Sequence, residues 1–136
     1  MTIENVKNCC IIDDDPIFIY GTKRLMKEIE FCENFLIFNN GKEAIEGLVN
    51  DNKNEGELPC LILLDLNMPV LNGWDFLEAI SKIKDKNITK IPIFIITSSI
   101  DPRDLEKVKN YAFVHGYLTK PITSEALDGI KNTLDL

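Results

Sequence analysis

Two hydrophobic periodicities alternate along the chain. Short runs of consecutive apolar residues predict buried strands, and apolar residues that recur every three or four positions predict amphipathic helices. The predicted strands cover residues 8–12, 34–38, 60–64, 91–96 and 116–119. The predicted helices cover residues 16–30, 40–50, 73–84, 101–112 and 123–134. Strands and helices therefore alternate from one end of the sequence to the other.

This alternation predicts an α/β fold. Strands separated by helices form a parallel sheet, and strands that are apolar throughout are covered on both faces. Because crossover connections are right-handed, the expected architecture is a doubly wound, three-layer sandwich. No repeat, low-complexity tract or interdomain linker interrupts the pattern. We expect one domain over residues 1–136, with a core of about 8–134 and no room for a second domain.

Polar residues stand directly after four of the five predicted strands. They are Asp13, Asp14 and Asp15 after the first strand, Asp65 after the third, Thr97 and Ser98 after the fourth, and Lys120 with Pro121 after the fifth. In an open α/β sheet, ligands bind beyond the carboxyl ends of the strands. These side chains are therefore expected to meet at one edge of the sheet. Asp15 precedes a proline at the first helical position and is predicted to cap that helix.

The polar residues at this edge have a shared chemistry. Carboxylates packed close together raise one another's pKa unless a cation lies among them. An oxygen-only site with few protein ligands suits Mg²⁺, which keeps several waters and leaves room for phosphate oxygens. With the Lys120 charge and the Thr97 hydroxyl added, the set is typical of phosphoryl transfer, and Asp65 would be the nucleophile. Taken alone, Asp65 could equally be a strand-end carboxylate that caps a turn.

Composition excludes several other classes of protein. Apolar residues make up 45% of the sequence and charged residues 27%, which is typical of a folded globular protein. The net charge of −7 argues against direct nucleic-acid binding, which needs clustered Lys and Arg. No apolar run approaches the length of about 20 residues that a membrane span needs. The four cysteines show no CxxC spacing, and the N-terminus is not a secretory signal, so we expect a cytoplasmic protein with reduced thiols.

Four sequence motifs resemble those of the receiver domain of two-component response regulators, the CheY-like family. They are CIIDDDP, LLDLNMPVLNGW, IITSS and GYLTKP, in this order. The resemblance covers about residues 8–134. It implies a flavodoxin-like (βα)5 fold with a five-stranded parallel sheet in the order 2-1-3-4-5. It also implies a signalling domain that catalyses only its own phosphorylation and dephosphorylation.

The resemblance also implies a phosphoacceptor and a metal site. Asp65 would accept the phosphoryl group as an aspartyl phosphate. Asp14, Asp65 and the backbone carbonyl of Asn67 would bind Mg²⁺, the cofactor, and Asp13 would act through a metal-bound water. Asn67 and Ser99 flank the expected path of an attacking water and are expected to tune the lifetime of the phosphorylated form.

Further residues match the family's phosphoryl-binding and switch positions. Thr97 and Lys120 would contact the phosphoryl oxygens, and Tyr117 would move inward together with Thr97. The Lys120–Pro121 peptide bond is where the family commonly has a cis proline. The surface formed by the helix at 101–112, the last strand and the last helix would then change for partner binding or phosphorelay.

The expected partners follow from the same resemblance. The phosphodonor would be a sensor histidine kinase or a histidine phosphotransfer protein. His115 is the chain's lone histidine, and the donor histidine is expected to come from another protein. A target protein of unknown identity and a homodimer through the switch surface are further expected partners. No membrane partner is expected.

Three other functions fit the sequence less well. A degenerate receiver, acting without phosphorylation, would lack the acceptor, an acidic residue or the lysine, and all are present. A haloacid-dehalogenase-like phosphatase needs Asp-x-Asp-x-Thr, but Ile17 stands at the threonine position and Asn67 replaces the second aspartate after Asp65. A calcium loop beginning at 51 would place Lys53 at a ligand position and Ile62 at the closing glutamate.

Overall fold

Five parallel strands form one sheet in the order β2-β1-β3-β4-β5. The computed structural model describes residues 6–50, 58–68, 71–84, 86–98 and 100–134. The strands are β1 (Val6–Ile12), β2 (Cys32–Phe38), β3 (Leu61–Asp65), β4 (Ile93–Thr97) and β5 (Val114–Thr119). The predicted parallel sheet and its strand order are confirmed. β3 begins and ends one residue later than predicted, so Asp65 belongs to the strand itself.

Six helices connect or follow the strands within the described residues. They are α1 (Pro16–Glu28), α2 (Gly41–Ile45), α3 (Gly73–Ser81), α4 (Lys86–Thr89), α5 (Pro102–Val108) and α6 (Ser124–Leu134). α2 continues into a π-helical turn, Glu46–Asn50. Five of these helices lie where the sequence predicts them, whereas α4 was not predicted.

The expectation of five helices is wrong, because α4 is an additional helix between α3 and β4. The sequence pattern did not reveal it because it is a single turn. Ile88 within it and Ile91 after it are buried, with 2% and 6% of their surface exposed. One helical turn holds too few residues for a hydrophobic period to show. α3 and α5 also end earlier than predicted, at Ser81 and Val108, so periodicity located these helices better than it located their ends.

The core lies on both faces of the sheet. Successive strand residues point to opposite sides, so Cys10 and Ile12 pack on one face while Cys9 and Ile11 pack on the other. β3 and β4 are buried at every position, as expected for central strands under two helical layers. This confirms the three-layer sandwich and leaves the strand ends as the place where polar groups cluster.

Asp15 begins α1 as its N-cap. Its Oδ1 accepts hydrogen bonds from the backbone N–H groups of Ile17 at 3.0 Å and Phe18 at 3.3 Å, and Pro16 occupies the first turn. These bonds satisfy N–H groups that have no partner within the helix. The predicted capping role of Asp15 is confirmed, and the cap fixes the direction in which α1 leaves the sheet edge.

None of the helices in the described ranges is both long and apolar enough to cross a bilayer.

Candidate functional site

Strand register brings the predicted site residues to one edge of the sheet. Asp13 follows the β1 residue that pairs with Leu64 of β3, so it lies level with Asp65. Asp65 pairs with Ile96 of β4, which places Thr97 one residue further along. Side chains from separate parts of the sequence therefore meet beyond the carboxyl ends of the strands.

Three carboxylates converge at this edge. One oxygen from each of Asp13, Asp14 and Asp65 can be chosen so that all three lie within 4.8 Å of one another. Asp13 is completely buried, Asp65 is 5% exposed, and Asp14 is exposed. The cluster therefore has a buried side against the sheet and an open side toward solvent.

Lys120 supplies positive charge to the carboxylate cluster. Its Nζ lies 2.7 Å from Asp13 Oδ2 and 3.7 Å from Asp65 Oδ2. Its backbone N–H donates a hydrogen bond to the Thr97 carbonyl at 2.7 Å, and the Lys120–Pro121 peptide bond is cis. The lysine backbone is thus fixed against β4, while its side chain reaches Asp13, which follows β1, and Asp65 at the end of β3.

Burial raises the pKa of Asp65 to about 6, and the nearby Asp13 carboxylate adds to the rise. The Asn67 backbone N–H, which donates to Asp65 Oδ1 at 3.2 Å, and the Lys120 ammonium both act in the opposite direction. The ammonium does not fully offset burial and repulsion between the acids. An additional cation would therefore stabilise the ionised form of Asp65.

The donor set at this edge fits a hard divalent cation. All three side chains offer carboxylate oxygens, which are the ligands that Mg²⁺ prefers in proteins. Because Asp14 is exposed, one side of the cluster is open to water, and Mg²⁺ usually keeps several waters when it binds. The residues present thus satisfy the chemistry of the expected cofactor.

Thr97 and Tyr117 lie next to each other at the ends of β4 and β5. Thr97 is 4% exposed. The Tyr117 hydroxyl is near the Thr97 side chain and the Asp101 backbone, and burial followed by the Asp104 carboxylate raises the pKa of Tyr117. The two residues expected to move together are therefore already neighbours in this structure.

The structure brings the predicted residues together, and it adds two that the sequence interpretation missed. Phe18 places its ring 4.5 Å from Lys120 Nζ, measured to the ring centroid. Gly73 packs against the backbone of Asp65. Both are weak signals in a sequence, since an apolar residue in a helix and a glycine in a turn are common. Ser99 lies outside the described residues.

Residues 9–130 match the family described as the response regulator receiver domain. A similar curated protein is the probable transcriptional regulator ycf29 of Porphyra purpurea, with 32% identity over 129 residues. The match covers 93% of this chain and 56% of that protein. The chain thus spans little more than half the length of this relative.

Solved structures show the same fold. A two-component response regulator from Cytophaga hutchinsonii has a TM-score of 0.87 and 28% identity, over 97% of this chain and 99% of that one. The Mn²⁺-bound form of response regulator Rcp1 has a TM-score of 0.73 and 23% identity, over 93% and 90% of the two chains. The family match covers most of the sequence, and the strand order and the acidic edge agree with it. The chain therefore belongs to the response regulator receiver domain family.

Proposed function

We propose that this receiver domain accepts a phosphoryl group on Asp65 from a phosphohistidine of a partner protein, with Mg²⁺ bound at the acidic edge. One observation carries the proposal: the carboxylates of Asp13, Asp14 and Asp65 meet within 4.8 Å, and the Lys120 ammonium lies against two of them. Clustered acids with a lysine are the groups that phosphoryl transfer uses. The family membership supports a role in two-component signalling.

Four residues would hold the cofactor. Asp14, Asp65 and the backbone carbonyl of Asn67 would bind Mg²⁺ directly, and Asp13 would bind it through a water. When bound, Mg²⁺ would neutralise carboxylate charge and attract the oxygens of the incoming phosphoryl group. The full burial of Asp13 and its contact with Lys120 favour this indirect role, because its carboxylate already has a cationic partner.

The transfer step needs an ionised Asp65. One carboxylate oxygen attacks phosphorus, a P–O bond forms, and the P–N bond to the donor imidazole breaks with its electron pair left on nitrogen. The Lys120 ammonium and the Thr97 hydroxyl would then bind oxygens of the transferred group. Lys120 already lies against Asp13 and Asp65 before transfer, so it can stabilise the developing charge with little rearrangement, whereas Thr97 would move toward the transferred group.

Asp65→Asn tests the acceptor directly. We expect the parent protein, incubated with acetyl phosphate and Mg²⁺, to gain the mass of one phosphoryl group. The variant should gain none, because an amide cannot form the acyl phosphate. Intact-mass spectrometry measures the gain, and its loss after hydroxylamine treatment would identify an acyl phosphate.

Asp128→Asn is the matched control for this experiment. Asp128 is an exposed carboxylate on α6 and lies outside the acidic edge, so its variant should be labelled like the parent. Chelation of Mg²⁺ should prevent labelling of the parent and of Asp128→Asn. Labelling that persists in Asp65→Asn would show that the acceptor is another residue.

The switch surface in this proposal consists of α5, β5 and α6. α5 has no buried residue, so little apolar packing fixes its position. Contacts with α3, the helix that follows Asp65 along the chain, connect this region to the acceptor side of the domain. Lys107 Nζ lies 4.3 Å from the centroid of the Trp74 ring, and the Tyr111 hydroxyl donates to Glu78 at 3.0 Å. A helix held by a few polar and aromatic contacts is suited to a second position.

Thr97→Ala tests the coupling between acceptor and switch surface. We expect labelling of Asp65 to slow by no more than about fivefold, because one hydrogen bond is lost. The change in Trp74 fluorescence on phosphorylation should shrink, because the variant lacks the Thr97 hydroxyl that would move toward the phosphoryl group. Trp74 is the chain's single tryptophan and contacts α5 through Lys107, so its emission reports the position of that helix.

The control for this coupling is Thr119→Ala. Thr119 pairs with Thr97 across β4 and β5 but is exposed, so this variant should keep the fluorescence change of the parent. If Thr97→Ala also kept the full change, the proposed coupling through Thr97 would be wrong while the acceptor assignment stood.

The donor in this proposal is a sensor histidine kinase or a histidine phosphotransfer protein. His115 is exposed on β5, where its Nδ1 lies 3.0 Å from the Phe113 carbonyl, and it is not part of the acidic edge. The donor histidine is therefore assigned to another chain. Direct binding of a target, relay to a second histidine and pairing of two switch surfaces are the outputs available to the phosphorylated form.

A further inference from the structure

We propose that Phe18 is a positioning residue, which holds the Lys120 ammonium beside Asp65 through a cation–π contact. The proposal rests on the function proposed above, in which Lys120 binds the transferred phosphoryl group. Phe18 would act on that step only through Lys120. Its own ring carries no chemistry in the transfer.

Among the residues that the structure describes, three groups lie against the Lys120 ammonium. Two are the carboxylates of Asp13 and Asp65, at 2.7 and 3.7 Å, and the third is the face of Phe18, with its centroid at 4.5 Å. The Lys120 side chain is 15% exposed and Phe18 is 8% exposed. Contact with an aromatic face stabilises a largely buried ammonium more than it stabilises an exposed ammonium.

The ring differs from the two carboxylates in what happens to it during the proposed cycle. Asp65 changes its charge and shape when it is phosphorylated, and the environment of Asp13 changes when Mg²⁺ binds. The Phe18 ring neither titrates nor binds the metal nor accepts phosphate. It is therefore the partner of Lys120 that stays constant through the cycle, and it can keep the ammonium near Asp65 while the other contacts change.

Phe18 is itself held firmly. Its backbone N–H donates to the Asp15 cap at 3.3 Å, and its side chain belongs to the core cluster that includes Ile11 and Ile96. Phe18 and Lys120 also line the same cavity, of about 530 Å³, between α1 and the residues that follow β5. A rigid ring on one wall of this cavity restricts where the long lysine side chain can point.

Phe18→Leu removes the aromatic face and keeps an apolar side chain. We expect labelling of Asp65 by acetyl phosphate to become about three- to tenfold slower. This is the change in rate that corresponds to the free energy of a partly buried cation–π contact. Phe18→Tyr, which keeps the ring face, should restore a rate close to that of the parent. A residue that served packing alone would not distinguish leucine from tyrosine in this way once folding had been checked.

Phe35→Leu is the matched control. Phe35 also carries cations over its ring, Lys23 at 5.6 Å and Lys27 at 5.9 Å, but it lies on β2 away from the acidic edge. This variant should be labelled at the rate of the parent. Comparison of Phe18→Leu with Phe35→Leu therefore separates the loss of a cation–π contact at the site from the loss of one elsewhere.

A second measurement does not depend on phosphorylation. In the parent protein, the side-chain methylene protons of Lys120 should show upfield NMR shifts from the ring current of Phe18, and Phe18→Leu should remove them. Absence of these shifts in the parent would overturn the proposal.

An unchanged labelling rate in Phe18→Leu, or equally slow labelling of the leucine and tyrosine variants, would overturn it as well. Labelling that survived Asp65→Asn would instead refute the acceptor assignment, and the NMR result would still judge the contact.

Discussion

Gly73→Ala is expected to lower the free energy of unfolding by about 3 kcal/mol, near the upper end of the usual cost of overpacking. A Cβ at this position would lie 2.6 Å from the Asp65 carbonyl oxygen and 2.7 Å from the Leu66 Cα. Both are backbone atoms, so no side-chain rotation can relieve the overlap. Gly73 also donates its N–H to the Leu66 carbonyl at 3.0 Å, which fixes the start of α3 against the end of β3. Denaturant unfolding measures the loss.

The same substitution should also impair the acceptor. Relief of the overlap requires movement of the chain at Asp65 or at the start of α3, and the side chain of Asp65 would shift relative to Lys120. A displacement of about 1 Å can slow a positioned reaction roughly a hundredfold. We therefore expect labelling of Gly73→Ala by acetyl phosphate to be strongly reduced under conditions where the variant is folded.

Gly129→Ala provides the control with the same chemical change. Gly129 lies in α6, and a Cβ there would meet nothing within 4 Å. Alanine in a helix is favoured over glycine by about 1 kcal/mol, so this variant should be as stable as the parent or more so. It should be labelled normally. Equal stability of the two variants would show that space beside Asp65 is not what requires glycine at 73.

The sequence predicts the site edge well because strand ends are easy to locate. Asp13, Asp65, Thr97 and Lys120 each stand where an apolar run stops, and parallel topology then forces those ends together. The three consecutive aspartates are harder to separate. The proline after Asp15 predicts its cap of α1, but only the direction in which the chain leaves β1 decides that Asp13 is buried and Asp14 is exposed.

The individual contacts of Lys120 could not be predicted. β5 is separated from β3 by β4, and from β1 by both β3 and β4. The contacts of Lys120 with Asp13 and Asp65 therefore depend on the reach and direction of one long side chain. The Phe18 contact has the same origin, because it joins α1 to the end of β5. Helix α4 was not predicted for a local reason, because a single helical turn is too short to show a hydrophobic periodicity.

Lys120→Met should lower the free energy of unfolding of the metal-free protein by about 3–5 kcal/mol. Methionine keeps much of the length of lysine but carries no charge. The change leaves the Asp13 carboxylate, which is completely buried and 2.7 Å from the ammonium, without its cationic partner. An uncompensated buried charge costs far more than the loss of an exposed pair. Denaturant unfolding in the presence of a chelator measures the difference.

Lys109→Met is the matched control for this change. Lys109 also pairs with a carboxylate, Glu106, at 2.9 Å, but the two side chains are 72% and 74% exposed. The variant has the same net charge as Lys120→Met, yet it should lose no more than about 1 kcal/mol, because solvent screens exposed pairs. Losses of equal size would mean that the buried pair contributes no more to stability than the exposed one.

The loss in Lys120→Met should also depend on pH through Asp65. The ammonium opposes the rise in the pKa of Asp65, which stands at about 6, so its removal should raise that pKa further. The Asp65 carboxyl is protonated below pH 6 in both folded proteins, and there the lysine makes no difference to its ionisation. As pH rises above 6, Asp65 ionises in the parent but resists ionisation in the variant, and the variant becomes less stable relative to the parent. The part of the stability loss that depends on Asp65 should therefore be present above about pH 6 and absent below it.

Lys109→Met should show no such dependence on pH. A stability loss in Lys120→Met that grew as the pH fell from 7 to 5 would contradict the role assigned to the ammonium beside Asp65.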